Sequence, residues 1–235
     1  YRVLNLMNHI ATKSILLLAL TVFAVTNASA SLTALNAPSA GEASTYAVLD
    51  QLYGLQNLTR VDDANANKTD SEWYFAEGKT SADIKKVANY AGYNSTFGIA
   101  DSLGFTGILD TEQGDWQTIY SSQFSDDKFH LAIETPEGDI WSSDQGANSD
   151  GTDHMVTWLI TGNEGFEDNE IGNYIVAFED LASIISDRDF NDFILEIRGL
   201  EDGVIAAIPE PATLALLGFG LVGIAYRRRR MACST

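Results

Sequence analysis

The segment DRDFND, residues 187–192, places oxygen-bearing side chains at alternate positions and adds one more at its end. Oxygen ligands at alternate positions of a tight loop can converge on one hard cation, and calcium takes about six to eight oxygens at about 2.3–2.6 Å. Glu179 and Asp180 end the preceding strand-like segment and would complete such a shell if the flanking strands form a hairpin. The sequence therefore predicts a calcium site with these candidate ligands: Glu179, Asp180, Asp187, Asp189, Asn191 and Asp192.

This loop departs from the EF-hand pattern at two positions. Asp192 stands where that loop requires glycine, and Arg198 stands where it requires a bidentate glutamate. The alternative interpretation is turn chemistry, because Asp and Asn side chains close turns through hydrogen bonds to the local backbone. Four carboxylates this close repel one another unless something neutralises them, so the sequence leaves both interpretations open.

A second acidic loop contains Asp144, Asn148, Asp150 and Asp153. It suits another ion site, or part of the first one. Its glycines and Ser149 suit an ordinary flexible turn equally well. The sequence does not decide between these interpretations.

Three motifs of common enzyme classes do not occur in the chain. It has no Gly-x-Ser-x-Gly, no P-loop and no His-Glu-x-x-His. His130 and His154 fall in different strand-like segments without a nearby cysteine, which is more typical of structural histidines than of zinc ligands. Four tryptophans would form either a sugar-stacking face or part of a core. We expect a non-catalytic binding or adhesion module. The alternative is a secreted carbohydrate-active enzyme or lectin.

The net charge of the chain limits the classes of partner that it can bind. The net charge is −19, and six basic residues lie near the two ends, at Arg2, Lys13 and Arg227 to Arg230. Because the acidic body would be repelled by a phosphate backbone, we expect no nucleic-acid partner. Cations, or a neutral or basic matrix, suit it better. Cys233 is the only cysteine, so the body must be stable without disulfides.

The body between the two ends has the pattern of a mainly β protein. Ser44 caps a predicted helix over 46–58, and a polar linker follows. About eight short β-branched or aromatic segments then alternate with turn residues. The strand segments are EWYFAE, FGIAD, WQTIYSSQF, KFHLAIE, DIWSS, MVTWLIT, NYIVAFED and DFILEIR. SADIKKVANYAGY suits a helix or a strand. We predict a helix and linker over 31–72 and an antiparallel β-sandwich or jelly roll over 73–202.

The N-terminal region has the three parts of a secretory signal peptide. Lys13 supplies the positive charge, residues 15–25 form an apolar run, and Ala28, Ser29 and Ala30 supply small residues. We expect signal peptidase to cleave between Ala30 and Ser31, and we regard residues 1–6 as upstream read-through. The alternative is a permanent anchor. Eleven apolar residues, at about 1.5 Å each, cross only about half of a hydrocarbon core about 30 Å thick.

The C-terminal region contains a second apolar segment between two polar motifs. Residues 212–226 carry no charge and follow Pro209, Glu210 and Pro211. Proline is unfavourable inside a helix, so we expect an apolar helix to begin near Pro211. Basic residues stay on the cytoplasmic side of a membrane, which orients the acidic body outward. The basic stop consists of Arg227, Arg228, Arg229 and Arg230.

This order of Pro-Glu-Pro, apolar helix and arginine cluster, over 208–230, resembles the PEP-CTERM sorting signal of Gram-negative bacteria. The resemblance implies transient membrane insertion, recognition of Pro209, Glu210 and Pro211 by an exosortase, and removal of the tail. It further implies release to the cell surface or to an exopolysaccharide or biofilm matrix, where polysaccharide is a possible partner. The alternative is a plain C-terminal membrane anchor.

A second resemblance covers roughly residues 73–198. The segments YAGYNSTFGIAD, SSDQGANSDGTDHM, YIVAFEDL and DRDFNDF occur in an order similar to that of the domain-of-unknown-function 4114 type. This family is often found before PEP-CTERM tails and in large secreted proteins of adhesin-like architecture. The resemblance implies a β-rich exported module with a calcium loop, and it implies no reaction.

Overall fold

The computed structural model describes residues 32–61 and 72–203. The predicted signal cleavage at Ala28, Ala30 and Ser31 lies outside the described residues. So do the Pro209–Pro211 motif, the apolar helix and the basic stop. Within the described ranges the chain forms one α-helix and twelve strands, and all strand pairs are antiparallel. The predicted mainly β fold is confirmed.

The helix α1 spans Thr45–Tyr53. The Ala47 N–H donates to the Ser44 hydroxyl at 3.2 Å, which is the predicted N-cap. The helix ends earlier than the predicted residue 58, because Gly54 adopts a left-handed conformation with φ of 70°. A side chain on Gly54 would meet the Phe166 ring at 2.6 Å. Leu55–Asn57 then form one 3₁₀ turn.

The first sheet has six strands in the order β1-β9-β10-β11-β3-β6. The central pair is the β10–β11 hairpin, in which Phe178 lies opposite Phe193. The segment that suited either a helix or a strand forms β3 of this sheet. The strand bounds are β1 Leu58–Arg60, β3 Ser81–Ala88, β6 Gln117–Tyr120, β9 Met155–Ile160, β10 Tyr174–Phe178 and β11 Phe193–Arg198.

The second sheet follows the order β12-β2-β7-β4-β5, and β8 also pairs with β7. Its strand bounds are β2 Glu72–Phe75, β4 Thr96–Asp101, β5 Gly104–Asp110, β7 Phe129–Glu134, β8 Ile140–Ser142 and β12 Leu200–Asp202. The chain passes between the sheets repeatedly, as expected for a sandwich.

The hydrophobic core has two parts, and strand β10 contributes to both. Tyr174, Val176 and Phe178 join the core that both sheets form. Ile175 and Ala177 join a second cluster, in which α1 packs against the first sheet. Because both faces of β10 are covered, every residue of this strand is buried. The hairpin that carries the predicted ligands is therefore held rigidly at the centre of the fold.

A candidate metal centre at the end of the central hairpin

The hairpin register brings the two ends of the predicted calcium loop together. Phe178 pairs with Phe193, so Glu179 and Asp192 lie one position beyond the last pair and face each other. The Asp180 backbone N–H donates to the Asp192 carboxylate at 3.0 Å. The hairpin on which the predicted shell depended is present. Its closing end carries three carboxylates.

Glu179, Asp180 and Asp192 form a compact group. Their nearest carboxylate oxygens all lie within 4.8 Å of one another. Two oxygens bound to one calcium ion at about 2.3–2.6 Å are at most about 5 Å apart. The spacing is therefore compatible with one shared ion. We call these three residues the inner cluster.

The inner cluster is buried without matching donors. Glu179 is 2 % exposed and Asp180 is 3 % exposed. Both carboxylate oxygens of Glu179 and Oδ2 of Asp180 are buried and accept no hydrogen bond from the described residues. A buried, unpaired carboxylate costs several kcal/mol unless a proton or a cation neutralises it. The cluster therefore needs one or the other.

The pKa values of all three inner-cluster carboxyl groups are raised, mainly by burial. Burial raises the pKa of Glu179 and of Asp180, and the nearby Asp192 charge raises both further. Burial also raises the pKa of Asp192, against the opposing effect of the hydrogen bond from the Asp180 N–H. In the absence of a cation, the folded protein holds protons here that the unfolded chain would release at neutral pH.

Two residues from outside the hairpin fix the backbone of the inner cluster. The indole Nε1 of Trp141 donates to the Asp180 carbonyl at 2.9 Å. The imidazole Nδ1 of His154 lies 3.0 Å from the Glu179 carbonyl oxygen. The two rings stack at 4.0 Å between their centroids. His154 is thus a positioning residue of this centre, in line with its predicted structural role.

Sequence reasoning did not find Ser95, which immediately precedes β4. Its hydroxyl is fully buried and has no hydrogen-bond partner among the described residues. The pKa of Asp180 is raised mainly by burial, but the Ser95 hydroxyl is close enough to lower it in part. Ser95 therefore adds one neutral oxygen beside the carboxylates. A serine about 85 positions before its neighbour in sequence gives no local signal.

The structure places the remaining predicted ligands in a second group. Asp187 and Asp189 lie with Glu42, and the nearest oxygens of these three residues are within 4.8 Å of one another. We call this group the outer cluster. Asp189 is buried, Asp187 is half-buried and Glu42 is exposed. Burial raises the pKa of Asp189 to about 6. Glu42 was missed because it precedes the loop by more than 140 residues.

The segment before α1 holds the outer cluster in place. The Asn36 N–H donates to the Arg188 carbonyl at 3.0 Å, and the Ser39 hydroxyl donates to the Asp187 carboxylate at 2.7 Å. Asn191 donates through Nδ2 to the Ala43 carbonyl and the Asp189 carboxylate, while its Oδ1 is buried and unpaired. Asn191 therefore supports the outer cluster. The six predicted ligands are thus distributed over two groups.

The polar side chains of the second acidic loop are engaged in hydrogen bonds, most of them local ones that shape the turns. The Asp144 carboxylate accepts from the Gly146 N–H, and Asn148 bonds the backbone at Ser142. The Asp150 carboxylate accepts from the N–H groups of Thr152 and Ser183, and it pairs with His154 at 3.1 Å. Asp153 accepts from Thr33 and from the Met155 N–H. Within the described ranges, this loop contributes no residue to a potential metal-binding group.

The four tryptophans occupy separate places. Trp73, Trp141 and Trp158 are buried. Trp116 is half-buried, with the Arg198 guanidinium 4.3 Å and the Lys85 ammonium 5.8 Å from its ring. Three of the four tryptophans therefore belong to the core, not to a sugar-stacking face.

Comparison with known protein families identifies two parts of the chain. The model described as a domain of unknown function (DUF4114) matches residues 104–199, which include the whole inner cluster. The PEP-CTERM protein-sorting motif matches residues 207–230. No curated protein and no solved structure matches the chain.

The sorting motif establishes the route of the protein. A PEP-CTERM motif supports export and sorting by an exosortase, with membrane anchoring before processing. Among the described residues, no helix is long and apolar enough to cross a bilayer. The predicted apolar helix at 212–226 lies outside the described residues.

Proposed function

We propose that this exported protein is a non-catalytic, calcium-stabilised binding or adhesion module of the cell surface or the exopolysaccharide matrix. The observation that carries the proposal is the pair of buried, unpaired carboxylates of Glu179 and Asp180 beside Asp192. A bound cation would supply the positive charge that the described residues do not provide there.

Calcium suits this centre better than other common cations. The donors of the inner cluster are hard oxygens, and zinc prefers nitrogen and sulfur ligands. Magnesium retains several waters and needs near-octahedral geometry, whereas calcium accepts carboxylates in variable number and geometry. Three carboxylates offer at most six oxygens, and Ser95 adds another. The inner cluster would hold the ion, and the charge of the ion would stabilise the hairpin end.

Calorimetry and thermal melting with calcium test the centre. Calcium in about 100-fold excess over Kd should raise the free energy of unfolding by about 2.7 kcal/mol, because it binds the folded state alone. Glu179→Gln and Asp192→Asn keep the side-chain shapes but remove charge, and they should abolish this increase. Asp144→Asn in the second acidic loop is the matched control and should retain it.

A proton measurement separates calcium from simple protonation. Calcium should displace the protons held by the inner cluster, so its apparent binding heat should depend on the ionisation heat of the buffer. Unchanged melting and no binding heat with calcium would reject the metal centre and leave carboxyl protonation as the explanation.

The proposed destination follows from the sorting motif and the acidic body. Processing by an exosortase would free the protein from the membrane, and its acidic body would keep it soluble outside. Cell fractionation with and without the exosortase tests this proposal. Surface or matrix protein lacking its tail is expected, and it should accumulate in the membrane when the exosortase is absent. Intact tail on surface protein would favour a permanent anchor.

The second candidate function is a secreted carbohydrate-active enzyme or lectin. A cleft of about 840 Å³ favours it, lined in part by Tyr74, Asp83, Glu170 and Arg198. Arg198 already pairs with both of these carboxylates, at 3.0 and 3.2 Å, so neither is a free acid or base. We therefore rank it second. Depolymerisation of purified exopolysaccharide would support the enzyme and contradict the non-catalytic proposal.

A further inference from the structure

Strand β5 forms an open edge of the second sheet. Among the described residues it pairs with β4 alone, and it is seven residues long. An edge strand presents a row of unpaired N–H and C=O groups, which is a template for another strand. Gly104, Thr106 and Gly107 are exposed. No charged residue lies between Gly104 and Leu109, so the side chains do not oppose the approach of another strand.

The other edge strands of the described sheets are better protected. β1, β8 and β12 have three residues each, and β6 has four. In β6 the Tyr120 N–H donates to the Gln123 side chain at 2.6 Å, and in β8 the Ser142 N–H donates to the Asn148 side chain at 2.6 Å. Short length and charge are common protections of edge strands, and β12 ends in two acidic residues. β5 is longer and lacks charge over 104–109.

The pairing with β4 determines which backbone groups of β5 point outward. Asp101 and Gly104 close a hairpin with a two-residue loop, and the closing pair of such a hairpin exchanges hydrogen bonds. Bonded and non-bonded pairs then alternate along the ladder, so Thr106 bonds to β4. The N–H and C=O groups of Phe105 and Gly107 therefore point to the open side.

The opposite side of β4 gives the same assignment. Ile99 of β4 lies between Leu131 of β7 and Thr106 of β5. The Leu131 carbonyl accepts from the Ser143 N–H at 2.7 Å, on the side of β7 that faces away from β4. Ile99 and Leu131 are therefore a non-bonded pair, and the backbone groups of Ile99 bond to Thr106.

A second copy of the chain matches this edge by symmetry. Two antiparallel copies of β5 related by a two-fold axis present the same groups to each other. With Thr106 on the axis, Phe105 of each copy lies opposite Gly107 of the other, so the outward groups of both residues are bonded. The two Thr106 side chains form a favourable cross-strand pair. Asp110 lies opposite Ser102 in this register, so the strands oppose no like charges.

We infer that β5 is a self-association edge, through which two copies of the chain join their second sheets. The inference goes beyond the proposed function and does not depend on the calcium centre. Regular pairing with β4 covers only Gly104 to Gly107, because the register shifts beyond it. The shared surface is then smaller than the roughly 800 Å² per partner of a stable interface, so the dimer is weak and forms where the protein is concentrated. The net charge of −19 opposes association, and salt screens that repulsion.

Sedimentation velocity of the full chain, at concentrations up to about 1 mM, tests this edge. We expect a dimer that grows with concentration and is stronger at higher salt. Thr106→Lys places two ammonium groups at the axis and should raise the dimer Kd at least about tenfold. The Thr106 side chain is exposed, so this variant should keep the melting temperature of the wild-type monomer.

Thr59→Lys is the matched control, because Thr59 is an exposed threonine of the edge strand β1. It should leave the dimer Kd unchanged. The apolar C-terminal segment is the same in all variants, so a difference between them reports on the substituted edge.

Hydrogen exchange provides a second readout at the backbone itself. The amides of Phe105 and Gly107 should exchange rapidly in dilute samples and slowly in concentrated ones, since pairing with a second copy would bond them. A monomer at every concentration and salt would overturn the inference. So would a dimer that Thr106→Lys leaves intact, because its contact would then lie elsewhere. The calcium melting series is independent of these results, so either proposal can fail without the other.

Discussion

The two acidic loops of this protein have similar compositions, but only one of them supplies hydrogen-bond donors to all of its carboxylates. In the loop at 144–154, each acidic side chain accepts hydrogen bonds from nearby N–H or hydroxyl groups. At the hairpin end, Glu179 and Asp180 lie buried with unpaired oxygens. The difference lies in the available donors, not in the number of acids. Candidate cation sites are therefore better recognised from missing partners than from acidic composition.

The pKa shifts of the two loops have opposite signs. Burial alone would raise the pKa of Asp150, but hydrogen bonds from Ser183, Thr152 and His154 hold it below its ordinary value. Burial raises the pKa of Glu179, the nearby Asp192 charge raises it further, and the Ser186 hydroxyl offsets only part of this rise. Asp150 therefore stabilises the fold in its charged form, and the inner cluster favours its neutral form. The contrast between the two loops predicts the outcome of four changes to the protein or its conditions.

Asp150→Ala should produce the largest effect, a loss of about 3 kcal/mol in the free energy of unfolding. The substitution leaves the buried His154 without its charged partner and the Ser183 N–H without an acceptor. Urea denaturation at neutral pH measures the loss. A loss below about 1 kcal/mol would show that the Asp150 hydrogen bonds contribute little. Asp150 would then not stabilise the fold in the way that the comparison of the two loops requires.

The pH dependence of stability should come next. The inner-cluster carboxyls have raised pKa values when folded, so the folded state binds more protons than the unfolded state above about pH 4. Stability without calcium should then fall as pH rises, by about 2 kcal/mol between about pH 6 and pH 8 for one proton. Urea denaturation with chelator measures this decrease. Saturating calcium should remove it, and a flat profile in chelator would contradict the proposed protonation.

Asp192→Asn should have a smaller effect of the opposite sign to Asp150→Ala. In chelator it replaces a carboxyl group whose charged form is disfavoured by burial with a neutral amide, so the free energy of unfolding should rise by about 1 kcal/mol. Thermal melting with chelator checks the sign. A destabilised variant under these conditions would mean that the Asp192 charge is compensated by donors, as in the other loop.

Asp144→Asn should change stability least, by less than about 0.5 kcal/mol. Its carboxylate caps a short 3₁₀ turn at Gly146, and asparagine can make the same hydrogen bond. The same melting series provides the measurement. A large loss would indicate that this aspartate has a role beyond capping.

Local sequence signals predicted the parts of the fold that depend on neighbouring residues. Ser44 was found as the cap of α1, and the segments of β10 and β11 were found from their apolar runs. Three strands were missed. β1 and β12 have only three residues each and pair with strands distant in sequence, and β5 contains two glycines. The turn composition of β5 concealed a strand that β4 holds in register.

Only part of the candidate site could be predicted from the sequence. The hairpin brings Glu179 opposite Asp192, and a sequence pattern can anticipate this. The division of the six residues into two clusters depends on the path of the loop, in which Arg188 and Phe190 adopt left-handed conformations with φ of 58° and 56°. Glu42 and Ser95 arrive from distant parts of the chain. Spacing along one segment carries no information about either.

Hydrogen bonds between the first described segment and the last hairpin limit when the protein can fold. Asn36 donates to the Asp187 carbonyl across 151 positions, and Thr45 bonds the Asp189 carbonyl across 144. A chain that crosses the inner membrane from its N-terminus cannot close these contacts until its last strands have emerged. Contacts of such long range also slow folding intrinsically. The polypeptide would thus remain unfolded during translocation and fold only after its last strands have been exported.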